Sequence, residues 1–315
     1  MSFSSKQAHQ HLLLGAVFAF IAAVAFSGKA ILVKLAYRYA VDPVTLLTLR
    51  MLFSVPFFMV MAIWSARDAR TVNLNRRDWS AIVILGLLGY YLGSLLDFWG
   101  LSYISASLER LTLFLYPTLV VLLSAFLLHR RIRSQEILAL ILSYTGIVLV
   151  FIHDLIFAQG NVILGSGLVF GSALAYAIYL IGSGKTIAKI GAIRFTAYSM
   201  IVASIAVFAQ FGLSHPSYTL ALSALDFPVA VYYLSFLMAL LSTVLPAFLI
   251  VEALRRIGAS KTAIVGTIGP VSTLIFSALF LGEPISVIQL IGASLVISGV
   301  LWISLSKATG EVVHG

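Results

Sequence analysis

Apolar stretches of about 20 residues recur along the chain, separated by short polar breaks. They run over residues 12–34, 44–64, 79–101, 103–128, 135–152, 162–184, 193–213, 229–254, 258–281 and 286–305. Such a stretch is long enough to cross a hydrocarbon core of roughly 30 Å. In lipid the backbone polar groups find partners only within their own helix or in a closed barrel. A barrel needs alternating segments of about ten residues, and these are absent. The pattern predicts an all-α integral membrane protein of ten transmembrane helices. The first stretch is too long for a removable signal peptide, and nine more follow it.

Composition agrees and adds exclusions. Of 315 residues 61% are hydrophobic and 10% charged, against roughly 25% charged in soluble domains. With no cysteine, disulfides, thiolate nucleophiles and cysteine-bound metals are out. The net charge of +9 forms no basic block of the kind that binds nucleic acid. It follows the breaks between spans instead. With the N-terminus placed inside, 15 of the 20 Lys and Arg fall on the inner side, and the outer loops hold only Lys34 and Arg38. Positive charge beside span ends marks the cytoplasm, so both termini are expected there.

The chain also repeats itself. Residues 104–151 and 257–304, offset by 153, share 10 identities in 48 positions, among them Ala106/Ala259, Ser107/Ser260, Pro117/Pro270 and Gly146/Gly299. Charge in the loops does not follow the repeat: Arg130-Arg131 after the fourth span becomes Glu283-Pro284 after the ninth. Five spans per half is an odd number, so the second half must enter the membrane upside down, and charge follows the side rather than the copy. The expected organisation is a five-helix repeat over residues 1–155 and an inverted one over 156–315. Inverted repeats are frequent in secondary transporters, with the substrate near the midplane between the halves. No phosphate-binding loop of the form GxxxxGK[ST] is present, so a gradient would have to drive transport.

Tyr116-Pro117 and Gly269-Pro270 inside the fourth and ninth spans, LGEP at 281–284, DPVTLLTLR at 42–50 and IGAS at 257–260 resemble the drug/metabolite transporter superfamily, specifically its ten-helix EamA-type permeases. The resemblance covers residues 12 to 305; HRR at 129–131, where the second half has GEP, departs from it. It implies a multi-pass protein of the bacterial inner membrane that exports amino acids, other metabolites or drugs, with protons or by facilitated diffusion. It implies no catalytic residues, and no cofactor or metal is expected.

Charges at depth in a bilayer suggest function by default. Lys29, Arg50, Asp97, Glu109 and Arg110 sit in the first four spans, all in the outer part of the bilayer by this topology. Their second-half counterparts include the neutral Ile250, Thr262 and Ala263. Two readings stand: an ion network tying helices together, or an outer gate that contacts substrate charge. Three cations and two anions suit a zwitterion or organic anion better than a bare cation. Tyr90, Tyr116, Tyr176 and Tyr179 are candidates for a cavity lining. Pro117 and Pro270, at one repeat position, are candidate paired hinges, because an internal proline removes a helix hydrogen bond. Gly89-x-x-x-Gly93 and Gly167-x-x-x-Gly171 read as close helix contacts. Glu252 reads as a helical ion pair with Arg255 and Arg256, and Glu283 as a helix terminator.

The expected partners are a small-molecule substrate, the lipid bilayer and protons, for which Asp97 and Glu109 are the candidate carriers. The expected function is secondary export of small metabolites. An exchanger of phosphorylated metabolites or nucleotide-sugars, and a drug efflux permease, are the alternatives. An enzyme is disfavoured: the histidines, at 9, 11, 129, 153, 215 and 314, lie at termini, loops or span ends.

Overall fold

A computed structural model describes residues 5–67, 73–127, 134–157, 160–214 and 225–312 of the chain. The Arg130-Arg131 turn and most of the loop after residue 214 lie outside the described residues. Among the described residues every regular element is a helix. In chain order these are α1 (Ser5–Tyr37), α2 (Pro43–Ala66), α3 (Arg76–Leu101), α4 (Ala106–Leu127), α5 (Ser134–Phe157), α6 (Val162–Ile190), α7 (Ala192–Ser214), α8 (Val229–Gly258), α9 (Lys261–Leu281) and α10 (Val287–Val312). The first nine hold stretches long and apolar enough to cross a membrane; the apolar stretch of α10, Val287–Trp302, is shorter.

The ends follow local chemistry. Asp42 caps α2 by accepting from the backbone N–H of Val44 and Thr45, with Pro43 at the first helical position, where its missing donor is harmless. Asn75 and Asp78 form a reciprocal capping box at the start of α3. Ser105 caps α4 through the Leu108 N–H. Between α8 and α9 the chain turns at Gly258, whose φ of 75° places it in the left-handed region that glycine enters without strain.

Several helices are broken inside, and the breaks recur at the 153-residue offset. A π-helical turn spans Leu87–Leu92 in α3, and another spans Leu240–Val244 in α8. Phe114 and Leu115 interrupt α4 just before Tyr116-Pro117, and Thr267 interrupts the ninth span just before Gly269-Pro270. A third π-turn, Ser277–Leu281, ends α9. Pro246 lies in the first turn of the α-helical segment that follows its π-turn, where a proline's missing donor is tolerated.

The extensive helix pairs are α1 with α8, α3 with α6, α2 with α7 and α5 with α10. Each joins the first five helices to the last five. The closest seam is α5 against α10. A methyl group on Gly146 would come within 2.5 Å of the Gly292 carbonyl oxygen, and one on Gly299 within 2.6 Å of that of Ala139. Gly89 lies against the Tyr179 ring, 2.6 Å from where a methyl would sit, but Gly167 has open space around it. The contact glycine of α6 is instead Gly165, whose carbonyl oxygen would lie 2.9 Å from a methyl on Gly100. A GxxxG spacing fixes a helix face but not which glycine meets a neighbour, and this corrects the expectation for Gly167. Large apolar side chains such as Val60, Trp64, Phe126, Ile163 and Leu279 are exposed on the bundle's flanks.

Candidate functional site

The five intramembrane charges converge. The Lys29 ammonium on α1 donates to Asp97 Oδ2 on α3 and, at 2.9 Å, to Glu109 Oε1 on α4. Burial is almost complete: Lys29 is 5% exposed, Asp97 3% and Glu109 0%. Asp97 Oδ1 and Glu109 Oε2 accept no hydrogen bond. Two carboxylates therefore share one ammonium, and each keeps one oxygen unsatisfied, an unusual arrangement for buried polar atoms.

The two arginines flank this triad without joining it. Arg50 on α2 donates from Nε to Thr243 Oγ1 in the α8 π-turn at 2.9 Å, and its guanidinium lies 5.5 Å from the Phe98 ring. A longer contact of 3.5 Å reaches Ser94. The Arg110 guanidinium lies 4.8 Å from the Phe26 ring, and its Nε has no partner. Its Nη2 rests where Gly269 leaves room: a methyl there would approach to 2.4 Å. Both arginines are buried, and neither forms an ion pair among the described residues.

Seven residues before Asp97 along α3, the tyrosines form a second cluster. The Tyr90 and Tyr179 hydroxyls are 3.0 Å apart. Tyr176 stacks on Tyr179 at 5.6 Å and meets Tyr116 edge-on at 5.2 Å. Tyr90 belongs to the α3 π-turn and Tyr116 opens the second part of α4, so both breaks deliver a tyrosine to this cluster. Two cavities of about 280 Å³ lie elsewhere, one lined by Leu108, Tyr144, Phe151 and Phe170, the other by Leu12, Ala16, Ile257 and Lys261. None of the nine candidate charges and tyrosines lines either.

Sequence reasoning missed the groups that close the site at the Glu283 end. The Glu283 carboxylate accepts from the Ala106 N–H at 3.2 Å and the Ser107 hydroxyl at 3.4 Å, so the terminator of α9 also caps α4. Ser107 and Ser277 hydroxyls lie 3.0 Å apart. Asp154 accepts from Ser105 at 2.6 Å and from Gln289 at 3.4 Å. The one signal for Asp154 was a lone carboxylate at the end of an apolar span; Thr243, Ser277 and Gln289 gave none. At the opposite end Lys189 pairs with Asp78, joining α6 to α3. Glu252 pairs with Arg255 at 3.2 Å and Arg256 at 2.8 Å, the helical ion pair its spacing predicts.

The EamA-like transporter family matches this sequence twice, over residues 13–152 and again over 163–305. The chain belongs to that family. Its relatives include the Bacillus subtilis protein YcbK, described as an uncharacterized transporter, 32% identical over 88% of each chain. A second is Bacillus subtilis YyaM, also an uncharacterized transporter, 28% identical over 72% of this chain and 73% of its own. A third is YicL of Salmonella typhimurium, an uncharacterized inner membrane transporter, 24% identical over 82% and 84%. A solved crystal structure at 16% identity has the same fold, with a TM-score of 0.62 over 94% of this chain and 98% of that one. This EamA-family chain is a multi-pass membrane protein, and its general role is that of a transporter.

Proposed function

We propose that this EamA-family protein is a secondary transporter that exports small metabolites, amino acids or related compounds, by alternating access. The carrying observation is a buried mixed-charge centre on the first four helices whose arginines reach α8 at Thr243 and α9 at Gly269. In this reading residues 1–155 and 156–315 are five-helix repeats of opposite orientation, ten helices cross the membrane and both termini are cytoplasmic. Support comes from pairs that exchange under a two-fold relation. The seam of Gly146 with Gly292 maps onto that of Gly299 with Ala139, and the π-turn at residues 87–92 onto the one at 240–244. The charged centre is the outer gate or its substrate contact, and the Tyr90, Tyr116, Tyr176 and Tyr179 cluster borders the path from the inner side. Pro117 and Pro270 act as paired hinges, because each follows a helix break at the same repeat position. Asp97 and Glu109 are the groups through which a proton would couple, since taking one up frees Lys29 from one of its two partners.

The test is counterflow in proteoliposomes loaded with amino acids, sugars, phosphorylated metabolites or cationic drugs, with and without a pH gradient. Exchange of an amino acid that falls at least tenfold with Asp97→Asn supports the reading. Exchange of phosphorylated compounds alone would replace it with an exchanger of those, the alternative favoured by two buried arginines that form no ion pair among the described residues. Absence of exchange across the whole panel removes the export role.

A further inference from the structure

We infer that the groove between the start of α1 and the start of α9 holds an anionic phospholipid, with its phosphate on Lys261 and one acyl chain along the apolar wall. This needs only the protein's place in the membrane and is independent of what it transports.

The groove has a volume of about 280 Å³. On α1, Leu12 and Ala16 lie one turn apart; on α9, Lys261, Ile264 and Val265 share a face. Ile257 completes the lining from α8. The same Ile257 packs tightly on α1, where a methyl group on Gly15 would come within 2.6 Å of it. The groove therefore opens beside a close helix contact. Apart from Lys261 its lining is wholly apolar, and an apolar hollow does not hold water. In a bilayer a lipid tail fills it without loss, being as apolar as the wall.

Charge selects the lipid. Leu12 opens the first apolar stretch and Lys261 opens α9, so the mouth of the groove lies at a span end, where headgroups sit. Lys261 is exposed and forms no ion pair among the described residues. Its stem can follow the apolar wall while the ammonium reaches the headgroup level. Arg255 and Arg256 stand on the same turn, and Glu252 is the one carboxylate set against these three cations. An excess of two positive charges at a membrane surface favours a headgroup with net negative charge. A zwitterionic headgroup brings its own cation and gains little. The second cavity, between α4, α5 and α6, has the same volume and no charged residue in its lining. Basic residues at span ends are common as markers of the cytoplasmic side; Lys261 differs in also lining a groove that fits a tail.

Thermal unfolding of the purified full-length protein in detergent tests this, with phosphatidylglycerol or phosphatidylcholine of the same acyl chains added at equal concentration. Phosphatidylglycerol should raise the melting midpoint further, since a ligand bound only by the folded state stabilises it. Lys261→Gln should weaken phosphatidylglycerol by about fivefold, the worth of one basic residue at an anionic surface, and bring it level with phosphatidylcholine. Lys185→Gln removes an exposed cation of α6 outside the groove and should leave the preference intact. Ile264→Trp fills the groove and should abolish the extra shift from phosphatidylglycerol; should it fail to fold, the two lysine variants decide. Glycerol phosphate, the headgroup without a tail, should give no shift. Equal shifts from the two lipids overturn the proposal, as does a preference that survives Lys261→Gln. A preference lost equally with Lys185→Gln makes the effect one of diffuse surface charge and overturns it too. So does a shift from glycerol phosphate as large as that from the lipid, or a preference unchanged in folded Ile264→Trp.

Discussion

Helices α4 and α9 are entered by the same motif, Ser105-Ala106-Ser107 and Gly258-Ala259-Ser260, and then meet opposite surroundings. After the first, Leu108, Glu109 and Arg110 are buried, tied down by Lys29, Glu283 and Asp154. After the second, Lys261 and Ala263 are exposed and Thr262 is half-buried. Equal positions in a repeat thus differ: the first is sealed under buried contacts and the second is exposed. The seal is chemical: its groups are charges and hydroxyls that two copies of one motif do not share.

The comparison breaks hardest at Lys29. Lys29→Met leaves two buried carboxylates without their cation and should lower stability by about 3–5 kcal/mol. Denaturation in detergent measures this, and Glu109→Gln added to it should restore part of the loss. If Lys29→Met alone is neutral, the centre does not hold the sealed end together.

A smaller effect sharpens the contrast directly. Glu283→Gln weakens charge-assisted hydrogen bonds to the Ala106 N–H and the Ser107 hydroxyl, and should lower stability by about 1–2 kcal/mol. The chain has no cysteine, so single introduced thiols report cleanly. Ser107→Cys should react slowly with a water-soluble maleimide and faster when Glu283→Gln is added. Lys261→Cys should react quickly in both backgrounds. Equal rates at the two positions would abolish the distinction. Smallest is Tyr90→Phe, which removes the 3.0 Å hydroxyl contact to Tyr179. It should lower stability by only about 1 kcal/mol and leave labelling at Ser107→Cys unchanged.

The helices were legible because lipid leaves the backbone few choices, and the five charges stood out because apolar spans make any charge conspicuous. That Lys29, Asp97 and Glu109 would meet was legible only as a shared depth. Depth says nothing of rotation about a helix axis, which is why Arg50 and Arg110 could not be seen to stand apart from the triad. The tyrosines of α3 and α6 were candidates by type, and a π-turn that no residue announces turned Tyr90 onto Tyr179. Glu283 read as a terminator from its neighbour Pro284, and its bonds to α4 depend on contacts 176 and 177 positions away in the chain. Gly167 failed as a contact because a spacing of four is satisfied by several registers.

The seam of α5 and α10 is backbone against backbone at two places, Gly146 with Gly292 and Ala139 with Gly299. The Ser143, Val150 and Val296 side chains pack around these contacts, and none of them is longer than a valine. The two contacts are also interchanged by the proposed two-fold relation, so a bulkier residue at either burdens both directions of opening alike. In the proposed alternating-access cycle this seam would serve as an axle: altering it should change how fast the protein turns over, and leave unaltered which way it prefers to face.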